Sequence, residues 1–577
     1  MTKLFKYLKP YTSWIILVIT LTLIQAFSQL YLPNLMSDIV DKGVVGGDIN
    51  FIIKTGLIML GFTLVVSVAT IVARLFGAKT GVAFARDLRR KIFVKVESYS
   101  LHDFDQIGTS SLITRNTNDV TQVQNVMVMM LTMLIFAPLM LVGGLIMALR
   151  TDAPLSWIIL VAAGILGIVI GFVASKGLPL FKSIQKKIDK VNLVLRESLT
   201  GIRVIRAFNK EKFEETRFEA SNADLTDTSI KVFRIMSFLF PALMLIMNMT
   251  TVAIVWFGAQ RIDSGNMQVG DMMAFQQYAM QIMFSIMMAT MMFVMIPRAS
   301  ASAERILEVL DMKNEVLETE NPKKATDACG CVSFKNVSFS YKGAEKPVLK
   351  NISFDAKPGE MTAIIGSTGS GKTTLINLIP RFYEASEGEV FVDGVNVRQQ
   401  SKATLRAKVG LVPQKMSLFS GTIRENMQYG KTDATDEEIL AALKTAQASE
   451  FIDHLEDGLD AHVEQGGANF SGGQKQRLSI ARALVRKPEI YVFDDSFSAL
   501  DFKTDAQLRS ALRKEIENAT VLLVAQRVST VMNADRILVL DQGEMAGMGT
   551  HKELLKSCDV YKEIVASQLS EEELGNE

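Results

Sequence analysis

Six apolar stretches, each long enough to cross a lipid bilayer, occupy the first half of this 577-residue chain. A hydrocarbon core of roughly 30 Å is crossed by a helix of about 20 apolar residues. Backbone polar groups in lipid must be paired within the segment, so these stretches are predicted to be helices. The predicted spans cover residues 14–35, 55–76, 127–149, 155–175, 236–258 and 271–296.

The flanking charges predict the orientation of the spans. The first span follows Lys3, Lys6 and Lys9, as the apolar part of a signal peptide would. Its apolar run is too long for that and lacks a small-x-small cleavage site, so we predict an uncleaved span. The connections at 77–126 and 176–235 are rich in Lys and Arg, whereas the other three are short and hold few. The positive-inside rule predicts that these basic connections and both termini are cytoplasmic.

The two basic connections have the pattern of helices rather than of coil. Apolar residues recur at three and four positions in ARDLRRKIFVKV and in DKVNLVLRESLTGIRVIRAFNKEKFEE. We therefore expect the spans to continue as helices beyond the membrane. Each connection has an apolar tip, at residues 102–107 and 207–213, that would either press on another domain or end a solvated helical hairpin.

Span six has a methionine-rich face. Helical spacing puts on one side Met273, Gln277, Met280, Phe284, Met287, Met291 and Met295, and span five adds Met244, Met247 and Met249. Methionine is flexible and polarizable, so such a face suits apolar ligands of varied shape. Ordinary helix packing or lipid contact explains the same pattern equally well. Gln277 and Gln281 favour a cavity, because amides in a span usually face a partner helix or water.

Composition, and a charged stretch between two regions, limit the possible partners, metal sites and domain boundaries. A net charge of +1 gives no support to a nucleic-acid partner. Cys329, Cys331 and Cys558, with only 4 histidines in the chain, make a poor zinc site and are predicted to be free thiols. A charged stretch with a proline and no apolar period separates two regions. We predict a transmembrane domain at 1–312, a linker at 313–328 and a second domain at 329–577.

A glycine-rich loop carries the first chemistry of the second region. The segment GSTGSGKT fits G-x-x-x-x-G-K-[ST], with an apolar run before it at 361–365 and a helix-compatible run after it at 375–379. Glycines let backbone N–H groups turn onto a polyphosphate, and the next helix presents its positive end to the same anion. Lys372 is predicted to reach the β- and γ-phosphates, and the Thr373 hydroxyl to bind Mg²⁺. The predicted contact residues of this loop are Gly366, Ser367, Thr368, Gly369, Ser370, Gly371, Lys372, Thr373 and Thr374.

Further motifs accompany the loop in a fixed order. They are Tyr341 ahead of it, then Gln414, NFSGGQKQR at 469–477, Asp494 and Asp495 after an apolar strand, SALD at 498–501, and Gln526 after a last strand. This order resembles the nucleotide-binding domain of an ATP-binding cassette (ABC) protein, with Walker A, Q-loop, signature, Walker B, D-loop and switch position. Six spans fused ahead of it resemble a type IV ABC exporter half-transporter. The resemblance covers nearly the whole chain and implies an all-α six-helix membrane domain followed by an α/β P-loop NTPase domain.

The resemblance also implies cofactors and roles. The cofactors would be ATP and Mg²⁺. Tyr341 is placed to stack on the base, and Asp494 and Gln414 would join Thr373 at Mg²⁺. In the family, two such domains dimerise head to tail, so that each signature covers the nucleotide of the other subunit. The residues that would make these contacts are Ser471, Gly472, Gly473, Gln474 and Asp501.

Two positions depart from the family pattern. Asp495 stands where a glutamate usually polarises the attacking water, and Gln526 stands where a histidine is usual. A positioned general base contributes about 10² to 10⁴ in rate, or roughly 3 to 5 kcal/mol of barrier. We therefore predict that the site on this chain binds ATP and hydrolyses it poorly. Because the signature is intact, we predict a heterodimer whose partner carries the usual Glu and His; a slow homodimer is the alternative.

The predicted function is ATP-driven export of an amphipathic compound or drug across a bacterial-type plasma membrane. A dedicated lipid or peptide exporter is the first alternative. Peptide exporters often carry an N-terminal protease domain, and we do not expect one here because the first span begins near residue 14. An ABC-type gated channel or regulator is the second, but neither a long regulatory insert nor rings of charge in the spans are evident. Importers usually keep the two domains on separate chains.

Overall fold

The computed structural model describes residues 2–319, 321–323 and 330–568. The chain forms two compact units, one of Met1–Glu97 with Thr109–Met312, the other of Ser98–Gly108 with Lys313–Glu577. The predicted linker at 313–328 and the predicted domain start at 329 fall partly outside the described residues.

Helices build the first unit. Six of them are long and apolar enough to cross a membrane, and each overlaps one predicted span. The chain starts with a 3-10 helix at Thr2–Tyr11, and π-helical turns occur at Ile39–Val44 and Arg115–Asp119. The α-helices up to residue 311 are α1 (Thr12–Asp38), α2 (Ile49–Glu97), α3 (Leu101–Ile107), α4 (Thr109–Thr114), α5 (Val120–Thr151), α6 (Ser156–Thr200), α7 (Ile202–Ala207), α8 (Glu211–Asp263) and α9 (Val269–Asp311).

Three of these helices are much longer than a bilayer needs. α2 has 49 residues, α6 has 45 and α8 has 53. At about 1.5 Å per residue they reach about 70 to 80 Å, against roughly 30 Å of hydrocarbon. The prediction that the basic connections continue the spans as helices is therefore confirmed.

Helix α9 has two distinct faces. Phe275, Tyr278 and Ile282 are buried, and the Tyr278 hydroxyl donates to the backbone oxygen of Leu30 at 3.0 Å. The opposite face is exposed in the single chain and holds residues that helical spacing had put on one side: Met273, Gln277, Met280, Phe284 and Met287. Met295 is half-buried, and the side chain of Met291 lies outside the described ones. On α8, Met244 and Met249 are exposed and Met247 is half-buried.

The second unit holds two main sheets. One is antiparallel with the strand order β2-β1-β4-β5, and the other, mostly parallel, has the order β12-β11-β3-β10-β9-β6. The central strands of the second sheet are continuous buried apolar runs, as expected for strands covered on both faces. The strands are β1 (Val332–Phe339), β2 (Leu349–Ala356), β3 (Met361–Gly366), β4 (Glu387–Val392), β5 (Val395–Asn396), β6 (Val409–Val412), β7 (Gly421–Thr422), β8 (His462–Val463), β9 (Ile490–Asp494), β10 (Thr520–Val524), β11 (Arg536–Asp541) and β12 (Glu544–Gly549).

Besides α3 and three short 3-10 helices, the described residues of this unit form ten α-helices. They are α10 (Lys372–Asn377), α11 (Lys402–Ala407), α12 (Ile423–Gln428), α13 (Asp436–Thr445), α14 (Ser449–Ile452), α15 (Gly472–Val485), α16 (Phe502–Glu515), α17 (Val528–Val531), α18 (His551–Ser557) and α19 (Asp559–Ala566). The last two pack on the parallel sheet, where Tyr561 and Val565 join Ala363, Ala525 and Val528 in one buried cluster. This cluster places α19 next to the segment that follows β10.

The two predicted apolar tips behave differently. Residues 98–108, with α3, belong to the second unit, where the Asp103 carboxylate accepts a hydrogen bond from the Glu315 backbone at 3.3 Å. The prediction that this tip contacts another domain is therefore confirmed. The second tip remains in the first unit, with Phe208 71% and Phe213 64% exposed.

The cysteines are not all free. Cys558 is a buried free thiol, but Cys331 is disulfide-bonded, so the prediction of free thiols is wrong for Cys331. Cys329 lies outside the described residues. The prediction rested on the number of cysteines and on the compartment, and neither shows which sulfur atoms lie close together. Two sulfurs can form a disulfide only if they do.

Candidate nucleotide site

The glycine-rich loop lies between β3 and α10, as its pattern predicted. Gly369 and Gly371 have φ of +85° and +97°, a region that other residues rarely adopt. A Cβ on Gly371 would lie 2.7 Å from the Leu349 side chain. The turn therefore requires glycine at residue 371, because of both its backbone angle and the lack of space for a side chain. The same turn lets backbone N–H groups of the loop face a phosphate chain.

The Lys372 ammonium folds back across this loop. Its Nζ donates to the backbone oxygens of Gly366 and Ser367, both at 2.8 Å. Burial lowers the pKa of Lys372, while the nearby Asp495 and Asp494 oppose the change. The ammonium is thus held inside the loop. A bound polyphosphate would replace the two carbonyl partners of the ammonium with its own charged oxygens.

Thr373 and Asp494 meet at the carboxyl end of the parallel sheet. The Thr373 hydroxyl donates to Oδ1 of Asp494 at 3.0 Å, and Asp494 ends β9. Asp494 is 4% exposed, and burial raises the pKa of its carboxyl group above the ordinary value. Together with the Gln414 amide oxygen, these are the hard oxygen donors that Mg²⁺ prefers. They fit this ion, which would neutralise phosphate charge there.

Asp495 is held by two amides. Nε2 of Gln526 donates to its Oδ2 at 3.1 Å, and Nε2 of Gln414 donates to the same oxygen at 3.3 Å. The residue itself has a φ of +47°, uncommon for a non-glycine residue and typical of functional turns. Burial raises the pKa of Asp495, and the hydrogen bond from Gln414 opposes the rise. The side chains of Gln414 and Gln526, from two other motifs, therefore bond to the same carboxylate oxygen of Asp495.

These motifs line a single cavity of about 320 Å³. It is formed by Val348, Thr368, Gly369, Gly371, Lys372, Thr373, Thr374, Gln414, Asp494, Asp495, Val524 and Gln526. Tyr341 lies at its edge, because its hydroxyl is 3.0 Å from Oγ1 of Thr374. The Tyr341 ring is also packed edge-on against Phe339 and Tyr383. Val348 and Val524 are lining residues that the sequence analysis did not identify, since a buried valine carries no chemical signal.

The signature residues lie elsewhere in the described part of the chain. Ser471 caps the start of α15, in a reciprocal capping box with Gln474, and neither residue lines the cavity. The Gln476 side chain accepts from the backbone N–H of Ala499 at 3.2 Å, which ties α15 to the SALD segment. Asp501 caps α16 by accepting from Thr504 at 2.9 Å. That these residues serve the nucleotide of a second subunit stays a prediction.

Comparisons with known proteins cover both units. The family described as "ABC transporter transmembrane region" matches residues 15–287, and "ABC transporter" matches residues 349–498. An uncharacterized ABC transporter ATP-binding protein of Mycobacterium tuberculosis is 43% identical over 98% of this chain and 97% of its own length. The similarly described YfiB of Bacillus subtilis is 40% identical over 99% of both chains.

A solved structure extends the likeness to three dimensions. The ATP-bound structure of a bacterial Atm1-family ABC exporter is similar with a TM-score of 0.80 and 26% identity, over 97% of this chain and 99% of that one. The likeness thus includes the helical unit as well as the unit that holds the Lys372, Thr373 and Asp494 cavity. The chain belongs to the ABC transporter family, as an ATP-driven exporter half-transporter that carries a transmembrane region and an ATP-binding domain.

Proposed function

We propose that this chain is the hydrolysis-impaired subunit of a heterodimeric exporter, which moves amphipathic compounds out of a bacterial cell across the plasma membrane. The observation that carries the proposal is the environment of Asp495. Its carboxylate accepts from Gln526 at 3.1 Å and from Gln414 at 3.3 Å, and no longer acid or imidazole lines the same cavity within the described residues.

This arrangement is poor for hydrolysis. Aspartate is one methylene shorter than glutamate, so its oxygens reach less far toward an attacking water. Hydrogen bonds from two amides already occupy Oδ2 of this carboxylate, which reduces its capacity to orient an attacking water. Gln526 cannot become cationic, so it cannot offset charge that develops on the γ-phosphate. Losing a positioned base costs about 10² to 10⁴ in rate.

Nucleotide binding does not need these groups. The loop glycines, the Lys372 ammonium and the Thr373–Asp494 pair supply the phosphate and Mg²⁺ contacts. They are supported by a base-stacking position at Tyr341, which is fixed by its bond to Thr374. The site should therefore retain ATP, with slow turnover.

An impaired site implies a second, competent one. The signature of this chain is intact and caps α15 with regular geometry, although it does not line its own cavity. It would complete the Walker site of a partner half-transporter that has the usual glutamate and histidine. A slow homodimer of this chain is the alternative, and it predicts two equal, slow sites.

The substrate class follows from the exposed face of α9. Met280 and Phe284 lie beside Gln277 on a face that is exposed among the described residues, which gives an adaptable apolar wall with a hydrogen-bonding amide. Such a wall suits amphipathic molecules of varied shape. Export of one lipid or one peptide remains an alternative for the same face, and gating without pumping is a less favoured one.

Orientation and coupling complete the proposal. The Lys and Arg of the long connections favour a cytoplasmic position for these connections, both termini and the ATP-binding domain. ATP would bind more tightly when the two cassettes are closed than when they are open, because only such a difference can shift the conformation. Hydrolysis at the partner's site would then release the closed state.

The test is asymmetric mutation in the reconstituted pair. Replacing the partner's Walker B glutamate should abolish ATPase activity and transport, whereas Asp495→Ala in this chain should leave most of both. Equal losses from the two substitutions would refute the asymmetry and favour two equivalent sites.

A further inference from the structure

The last described residue, Gln568, contacts the switch segment that follows β10. Its backbone N–H donates to Val565 at 3.0 Å, which ends α19 with a turn. Its side-chain oxygen accepts from the Val528 backbone N–H at 2.8 Å, and its Nε2 donates to the Gln526 backbone oxygen, also at 2.8 Å. One amide thus pairs with both ends of the three-residue segment 526–528.

The contact supplies a partner that the segment lacks locally. Val528 starts α17, and Arg527 before it makes no side-chain cap hydrogen bond. The first N–H groups of a helix have no partner within the helix. The Gln568 oxygen satisfies one of them from a distant part of the chain, so the segment depends on α19 for this bond.

Gln568 follows a helix that is packed in the core, although its own side chain is exposed. Tyr561 and Val565 of α19 are 0% and 1% exposed and belong to the cluster that contains Ala525 and Val528. Helix α19 therefore packs against Ala525 and Val528, which lie on either side of Gln526 and Arg527. A side chain at its end can fix the position of the Gln526 backbone.

The position of the Gln526 backbone determines where the Gln526 side chain meets the nucleotide site. Its own amide donates to Asp495 at 3.1 Å, and Asp495, Gln526 and Gln568 line one cavity of about 340 Å³ next to the nucleotide site. We propose that Gln568 is a positioning residue, which holds the switch segment so that Gln526 engages Asp495 and the bound nucleotide. Gln568 does not itself line the nucleotide cavity, and it acts through Gln526, which does.

The test measures nucleotide release from the Walker site of the purified full-length chain in nanodiscs. The probe is a fluorescent, non-hydrolysable ATP analogue, mant-AMP-PNP, with Mg²⁺, chased by excess unlabelled ATP. Gln568→Ala removes two hydrogen bonds, each of modest net value, and should speed release about fivefold. Ser567→Ala is the matched control in the same turn, because its hydroxyl only bonds back to Ile564, and it should leave the rate unchanged.

A double-mutant cycle separates positioning from a general loss of structure. In a Gln526→Ala background, Gln568→Ala should have no further effect on release, because the side chain through which it acts is gone. Equal effects of Gln568→Ala with and without Gln526, no effect at all, or the same acceleration from Ser567→Ala would each overturn the proposal. The measurement needs neither hydrolysis nor a partner, so it can fail or succeed independently of the proposed heterodimer.

Discussion

The side-chain amide of Gln526 donates a 3.1 Å hydrogen bond to the carboxylate of Asp495, and this pair stands where an ABC exporter usually has a histidine and a glutamate. Neither residue can take up its usual role by a change of rotamer. An amide does not become cationic, and the shorter acid is already engaged by Gln526 and Gln414. Under the proposed function, this pair would allow nucleotide binding without rapid hydrolysis.

Restoring the usual residues should restore hydrolysis at this site. The experiment uses the reconstituted pair with the partner's Walker B glutamate disabled, so that only the site on this chain can turn over. Asp495→Glu combined with Gln526→His should raise ATPase activity by at least about tenfold, within the range of a positioned general base. Asp495→Asn with Gln526→His is the control, and it should stay inactive. An unchanged rate with the Glu–His pair would show that some other feature limits this site.

Removing the Lys372 ammonium should weaken nucleotide binding. Charge-assisted hydrogen bonds contribute about 1.5 to 3 kcal/mol, so Lys372→Ala should lower the affinity for mant-ATP by about 10- to 100-fold in a fluorescence titration. Lys335→Ala, at an exposed position of the inner strand β1, is the control of equal charge change. Comparable losses from the two variants would point to net charge rather than to the loop contact.

Mg²⁺-dependent binding should be sensitive to mild acid. Burial raises the pKa of Asp494 above 3.8, and only the ionised carboxylate can hold a cation. As pH falls through this raised pKa, protons displace Mg²⁺, so the Mg²⁺-dependent part of the ATP affinity should fall at a pH above 3.8. Titrations with and without Mg²⁺ at several pH values measure this. In Asp494→Asn the Mg²⁺-dependent part should be small at every pH; an unaltered pH profile in that variant would assign the effect to another group.

The glycine loop should not tolerate a side chain at residue 371. Gly371→Ala combines backbone strain of about 1 to 3 kcal/mol with a contact of 2.7 Å to Leu349. The control is Gly394→Ala, where φ is +72° but nothing lies within 4 Å of the added Cβ. Thermal unfolding of the purified chain should shift more for Gly371→Ala than for Gly394→Ala. Equal shifts would mean that the contact with Leu349 relaxes freely.

The exposed face of α9 should influence substrate recognition without changing ATP affinity. Met280→Ala and Phe284→Ala remove apolar surface from this face, and both side chains are exposed in the single chain. Transport of an amphipathic dye into inverted vesicles should fall several-fold, while mant-ATP binding stays unchanged. Ile168→Ala, 73% exposed on α6, is the matched loss of apolar surface. A similar loss of transport in that control would remove the special role of the α9 face.

The sequence predicted features that depend on local spacing. The glycine loop and the helix that follows it were accessible because turn residues fix them locally. The approach of Thr373 to Asp494, 121 residues further along the chain, was implied by the family resemblance instead. That the methionines of α9 share one face followed from the helical period, whereas the exposure of that face did not. These predictions required no knowledge of side-chain rotamers.

Other contacts could not be predicted in this way. Gln414, Asp495 and Gln526 are far apart in sequence, and their bonds depend on rotamers set by the packed sheet. Gln568 follows α19 with no motif around it, so nothing in the sequence marked its contact with the switch segment.

The most direct measurement is ATP turnover and transport by this chain alone, reconstituted in lipid vesicles. The proposed function predicts that the chain retains bound nucleotide, that its hydrolysis is barely above background, and that both activities rise strongly when a half-transporter with the usual glutamate and histidine is added. Rapid ATP hydrolysis coupled to cargo movement by the isolated chain would contradict it.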